Sequence, residues 1–318
     1  MHEVRPFTRA DRDQLTELVN AHIAAVVPGW SVSTAALLAQ LERDPSQYVI
    51  DPWVVERQTV VAVCRDRIAA AAHLKRYGSD ERVMPDYHNA AEVSWLVCWP
   101  HKIEAGHDLA RACTAQLDVW GVRRQYADGD LPTPATYGIP DAWPHVADIL
   151  HSAGFSDAHG RTGYLFAGTL DTVPAPGPAP IEGLTLRREI GNLTTRFAAV
   201  LGDDVVGYVH VRDDLTRGGT LSRLLRWAEV WEWFVDPAYR RRGIATWLGR
   251  HAVDWLRLGG AERVLLPTEE ELLAEGRRAL IETFGWREIG SSRRAWRREP
   301  GSVVAVTQRS HGAEARVT

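Results

Sequence analysis

The sequence predicts a mixed α/β protein made of two similar sheet-and-helix units, on three observations. The chain of 318 residues is long enough for about two cores, and its 45% hydrophobic and 25% charged residues are ordinary for a globular protein. One order of elements occurs twice: strand, hairpin, apolar strand ending at proline, helix, closing helix. Between the two runs lies Thr172–Gly183, with prolines at 174, 176, 178 and 180, a spacing that favours extended chain over helix or sheet. The expected organisation is therefore a first unit over 1–171, a linker over 172–183, a second unit over 184–300 and a tail over 301–318, whose residues are mostly small and polar.

In the first unit, Val4 to Phe7 reads as a strand. Leu15, Leu18, Val19 and Ile23 recur at helical spacing within Arg9 to Ile23. A second helix is expected over Thr34 to Arg43. Thr59 to Cys64 and Ile68 to Lys75 form a hairpin around Arg65-Asp66-Arg67, and Ala91 to Trp99 is an apolar strand stopped by Pro100. Helices follow over Asp108 to Trp120 and His145 to Ala153, the latter ending at Gly154.

In the second unit, Leu184 to Arg188 is a strand and Thr195 to Leu201 with Val205 to Val211 a hairpin. Leu215 to Arg226 is a polar loop placed where it would close over a substrate. Ala228 to Val235 is a strand stopped by Asp236-Pro237. From Ile244, apolar residues at Trp247, Leu248, Ala252, Trp255 and Leu256 make one stripe of a helix that ends at Gly259-Gly260. Arg263 to Leu266 is a strand, Glu270 to Thr283 a helix, and Arg287 to Arg298 a pair of short strands or an irregular edge. From Arg5 to Arg187 the offset between units is 182, but from Pro100 to Pro237 it is 137, so the second unit lacks 45 residues, about two helices, after its first strand. Its sheet is expected to lean on the first unit for cover.

The strand, turn and helix from Ala228 to Leu258 is the best-specified stretch. A helix N-terminus offers N–H groups without internal partners and the positive end of the macrodipole, which attracts phosphate. Arg240-x-x-Gly243-x-Ala245 adds small residues where backbone must approach a bulky anion, with arginines beside them. The bland alternative is an ordinary turn with a solvated arginine run.

The stretch V-D-P-x-x-R-x-x-G-x-A, Val235 to Ala245, resembles the coenzyme A motif of the GNAT superfamily of acyl-CoA-dependent N-acyltransferases. The likeness is best over Tyr208 to Trp296 and implies two GNAT-like domains, the second without its early helices. It also implies that amides of Arg241, Arg242, Gly243, Ile244, Ala245 and Thr246, beside Arg240, hold the pyrophosphate of acetyl-CoA, and that main chain near Phe234 and Val235 pairs with the pantetheine arm. In the first unit, aligning Gly106 with Gly243 puts Ile103 opposite Arg240 and Asp108 opposite Ala245. That copy is expected to be degenerate.

The family reaction is direct attack by a primary or secondary amine on the thioester. Only the neutral amine is a nucleophile, and an alkylamine with pKa near about 10.4 needs a base. The resemblance points first to Glu229, six residues before Val235, and second to Glu232; a regular strand would put them on opposite faces, and a bulge would reverse that. A strand amide, such as that of Val235, would supply the oxyanion donor. The tyrosine often found four residues before the Gly-aromatic pair is absent: Ile281 stands there, and Leu150 in the first copy. Tyr208, Tyr137 and Tyr164 are replacements without a spacing argument.

These observations lead to an N-acetyltransferase acting on a small-molecule amine. The alternatives are a protein or peptide acetyltransferase and a non-catalytic acyl-CoA sensor. A net charge of -4 gives no general attraction to nucleic acid. Cys64, Cys98 and Cys113 are too few for a disulfide framework, the histidines have no metal-ligand spacing, and no apolar run suits a membrane or a leader, so a cytoplasmic, metal-free protein is expected. A homodimer rests on base rate alone.

Overall fold

The computed structural model describes residues 2–43, 51–127, 131, 136–157, 160–191, 194–212 and 226–299. The expected loop over 215–226, apart from Arg226, and the tail over 301–318 lie outside the described residues.

The first half opens with β1 (Glu3–Pro6), α1 (Arg12–Val26) and α2 (Thr34–Leu41). The apolar stripe of α1 is fully buried, and Ser33 caps α2 by accepting from the Ala36 amide at 3.1 Å. β2 (Val54–Cys64) and β3 (Arg67–Tyr77) form the hairpin, and its two turn residues, Arg65 and Asp66, have φ of 49° and 62°. Positive φ at both central positions is what a twist-matched two-residue turn requires, so the turn forms here without glycine. β4 (Ala90–Cys98), α3 (Ile103–Val119) and β5 (Arg124–Ala127) make a parallel crossover. β6 (Ile139–Pro140), α4 (Pro144–Ser152) and β7 (Thr162–Thr169) complete this half.

The second half contains β8 (Leu184–Ile190), β9 (Thr195–Leu201), β10 (Asp204–Arg212) and β11 (Trp227–Val235). Then come α5 (Ile244–Leu258), β12 (Arg263–Glu269), α6 (Glu270–Phe284), β13 (Arg287–Arg293) and β14 (Trp296–Arg298). Residues 191–194 are too short a connection for a helix, so β8 passes directly to β9 where the first half has α1 and α2.

The two sheets do not part at the proline-rich segment. One has the order β1-β2-β3-β4-β5-β14, and the other β6-β13-β7-β12-β11-β10-β9-β8. The halves have exchanged strands: β14 pairs antiparallel with β5, while β7 lies antiparallel between β12 and β13. The expected C-terminal strand pair is thus divided between two sheets. Trp296 is buried, and Arg298 grips both Asp118 oxygens at 2.8 and 3.1 Å and also donates to Gln125. The strand Thr162–Thr169 escapes sequence reading because Gly163 and Gly168 dilute its pattern. Gly168 is needed, since a Cβ there would collide with the Trp286 ring.

The uncovered face of the second sheet rests on the first half. Trp227, Leu265 and Leu165 belong to the same core as Leu18, Ile23 and Val27, and the Trp30 and Trp227 rings lie 5.9 Å apart. The proline-rich segment lies along α5, whose Trp247 indole donates to the Gly177 carbonyl at 3.2 Å. Arg257 donates to the carbonyls of Leu170 and Val173, just ahead of the prolines.

Because each sheet holds a strand from the other half, urea should unfold both halves in one transition, and Trp296→Ala should lower the stability of the whole by about 3–5 kcal/mol. Two resolved transitions in tryptophan fluorescence and circular dichroism would rule out this interlock.

Candidate functional site

β11 and β12 pair in parallel only over Trp227–Glu229 and Arg263–Leu265. Beyond that they separate into a fork, and from Val230 onward the β12-facing edge of β11 has no strand partner among the described residues. On its other edge β11 pairs with β10, but His210 faces Glu232 while Val211 faces Val230, leaving Trp231 as a bulge. The extra residue reverses the alternation. Ala228, Val230, Trp233 and Val235 turn toward the α5 core, and Glu229, Glu232 and Phe234 share the opposite face.

At the end of β11 the chain turns through Asp236, whose side chain accepts from the Ala238 amide at 2.8 Å, into a 3-10 turn over Pro237–Tyr239. Arg241 and Gly243 then take left-handed φ of 62° and 86° before α5 begins. No side chain among the described residues caps that helix, so the amides of Ile244, Ala245 and Thr246 have no helical or capping partner there. This is a concave run of N–H groups on the positive end of a 15-residue helix, suited to a diphosphate. Gly243 abuts Pro180 of the linker: an added Cβ would lie 3.2 Å from the Pro180 Cβ.

A cavity of about 410 Å³ runs from this corner into the fork. Of the expected anion-site residues, Phe234, Val235, Arg240, Arg241, Gly243, Ile244, Ala245 and Thr246 line it. Arg242 does not; its guanidinium lies 5.7 Å from the centroid of the Tyr239 ring. Arg240 Nε donates to the Val235 carbonyl at 3.0 Å, tying the loop to the strand end.

The two candidate carboxylates differ. Glu229, at the last paired position before the fork, is wholly buried, and burial pushes its pKa up to about 7 against the opposing pull of Arg212. Arg212 Nη1 lies 3.2 Å from Oε2, yet neither carboxylate oxygen has a well-aligned hydrogen bond among the described residues. Glu232 lines the cavity and accepts from Tyr208 OH at 2.6 Å, a bond that raises the tyrosine's pKa. Tyr208 is therefore engaged with Glu232, and Ile281 is about half exposed.

A second cavity, of about 470 Å³, opens between the halves. It shares Trp231, Pro267 and Thr268 with the first, so the two meet at the fork. Val26, Tyr137 and Tyr164 enter its wall from the first half, and Glu269 and Arg294 from the second. Glu269 was not foreseen: it opens the run Glu269-Glu270-Glu271, which reads as a solvated helix start. Its role in the wall comes from Arg294 and Arg161, 2.9 and 3.4 Å away.

The first half keeps part of this design and drops the rest. Glu92 and Glu229 each stand eight residues before the strand-ending proline, opposite Lys75 and Arg212 respectively, and Ser94 is bulged as Trp231 is. Tyr77 OH donates to Glu92 at 2.6 Å. The anion corner, however, is missing. The turn Pro100–Lys102 runs straight into α3 at Ile103, whereas residues 240–243 intervene between Tyr239 and α5. Gly106 is consequently not the counterpart of Gly243, as the sequence alignment supposed; it lies within α3, where a Cβ would strike Ile149 of α4 and crowd Cys98. Close contact of these two helices fills the space that is open between α5 and α6.

The acetyltransferase (GNAT) family model matches residues 168–286. No curated protein matches the chain. Among solved structures, a tandem GNAT protein from the clavulanic acid biosynthesis pathway superposes with a TM-score of 0.64 at 16% identity, covering 95% of this chain and 100% of that one. A GCN5-related N-acetyltransferase from Sphaerobacter thermophilus gives 0.58 at 16% identity, covering 94% and 95%. A GCN5-related glucosamine N-acetyltransferase region of a fungal multi-domain GH3 beta-N-acetylglucosaminidase gives 0.62 at 15%, covering 93% of this chain and 38% of that one. At these identities the superpositions speak to fold alone. Residues 168–286 thus form a domain of the GNAT acetyltransferase family, and the chain as a whole has a tandem GNAT fold.

Proposed function

We propose that the protein is an N-acetyltransferase that moves an acetyl group from acetyl-CoA to a primary or secondary amine of a small molecule. The observation that carries this reading is the meeting of two cavities at Trp231, Pro267 and Thr268, one leading to the anion corner and the other lying between the halves. A donor and an acceptor entering from opposite sides would come together there. A cleft of about 470 Å³ is of the size that holds a small molecule.

Acetyl-CoA supplies the activated acetyl thioester. The amides of Ile244, Ala245 and Thr246 and the left-handed loop at Arg241 and Gly243 would hold its pyrophosphate, and the open edge of β11 would pair with its pantetheine arm. Glu229, which is buried behind the two cavity linings, would take the amine's proton through water. A carboxyl with pKa near 7 is ionised about half the time at neutral pH and is a stronger base than an ordinary glutamate. Glu232 is the second choice because Tyr208 already occupies one of its oxygens. The non-catalytic reading, an acyl-CoA sensor, draws on Ile281, which stands where many relatives of this fold would place a proton-donating tyrosine.

With the best amine substrate, kcat/KM should rise as pH increases through about 7 and then level off. Glu229→Gln should lower it by about 10²–10⁴-fold and remove that limb. Full activity in the variant would discard Glu229 as the base. The stability sign is a separate check. A folded pKa raised above 4.5 contributes stability that is complete below pH 4.5 and lost as pH rises through about 7. Glu229→Gln should therefore gain on the native protein across that window, by about 3 kcal/mol at pH 8 in urea titrations.

Gly243→Glu places a charged side chain at φ 86° against Pro180 and in the anion corner. Calorimetry should show acetyl-CoA binding abolished; unchanged affinity would refute the corner's role. Saturable binding to the native protein with no thiol released from any amine would favour the sensor.

A further inference from the structure

We infer that the amine accepted by the inter-half cavity carries a carboxylate next to a flat apolar body. This deepens the acetyltransferase reading and rests on it. The wall contains three aromatic side chains, Trp231, Tyr164 and Tyr137, and each is stacked against an arginine. Arg212 lies 4.4 Å from the Trp231 ring centroid, Arg277 5.4 Å from that of Tyr164, and Arg294 5.5 Å from that of Tyr137. An aromatic face attracts cations, but a ring already serving a guanidinium adds little for a second one. The guanidinium groups are themselves paired with Glu229, Glu288 and Glu269, so the stacked rings offer broad, flat apolar surface that suits a planar group.

The charges on the wall agree. Glu269 is the sole carboxylate among the described lining residues, and it is shared between Arg294 and Arg161. Arg294 lines the cavity, and its planar fork is the side-chain group best matched to a carboxylate. Thr136 supplies an independent sign of a ligand: it lines the same cavity at 5% exposure, and its Oγ1 is buried without a hydrogen-bond partner. An unpaired buried hydroxyl is costly, and an oxygen of the acceptor would satisfy it. The acceptor's carboxylate is thus held by Arg294, its flat body lies among the three rings, and its amine points to the junction at Thr268.

The test compares phenylalanine, phenylalanine amide and 2-phenylethylamine as acceptors, with thiol release as the readout. Phenylalanine should exceed both others in kcat/KM by about 10-fold or more, the scale of one charge-assisted pair. Arg294→Gln should erase that advantage by raising KM for phenylalanine about 10–100-fold while leaving the Kd of acetyl-CoA unchanged; Arg294→Lys should keep part of it. Equal or faster turnover of 2-phenylethylamine by the native protein overturns the inference. If none of the three releases thiol, phenylalanine is titrated into protein saturated with acetyl-CoA. Binding that Arg294→Gln removes sustains the carboxylate site while counting against transfer, and absence of binding overturns the site itself.

Discussion

The short parallel contact between β11 and β12 is the constraint on which the rest of the site depends. Three residue pairs hold the strands together at one end. Past them, hydrogen-bonding backbone on β11 is left without a strand partner among the described residues and borders the cavity, where a ligand or water can pair with it. The α5 N-terminus and its left-handed loop sit at the open end of the fork, while Glu229 sits at its root. One geometric choice, to stop pairing early, creates the edge, the two cavities and the dry environment that lifts a carboxyl pKa to about 7.

Opening a fork removes contacts that would otherwise hold a sheet together, and the exchanged strands replace them. β7 binds the far edge of β12, so the strand that leaves β11 is secured by a segment from the other half. Gly168 permits Trp286 to pack closely over that strand, and Gly249 lets α5 approach Trp233. The same exchange brings Tyr164 and Tyr137 to the cavity. Stabilisation of the fold and construction of the acceptor wall are in this sense one event.

What could be read from the sequence was what is written in contiguous residues. The anion corner needs glycine, small residues and a helix start in fixed order, so Val235 to Ala245 announced itself. Glu229 and Glu232 could be named but not ranked by alternation, because the bulge at Trp231 is a property of the pairing between β10 and β11 rather than of the strand alone. The loss of the corner from the first half was anticipated, but through a wrong alignment: an internal glycine, Gly106, stood for a loop that is absent. Glu269, Arg294 and the exchanged strands were hidden because a strand's neighbours are set by tertiary placement. Nothing local to Thr162–Thr169 specifies that it inserts between β12 and β13.

The exchange also bears on how such a protein can diversify. The half that has no anion corner furnishes much of the wall of the inter-half cavity, whereas the half that retains the corner furnishes the phosphate-facing surface. On the function proposed above, recognition of the two reaction partners is distributed over separate stretches of one gene. Substitutions at Tyr137 or Tyr164 would then retune one ligand while the residues facing the other are untouched, which leaves the half without the corner the freer of the two to change.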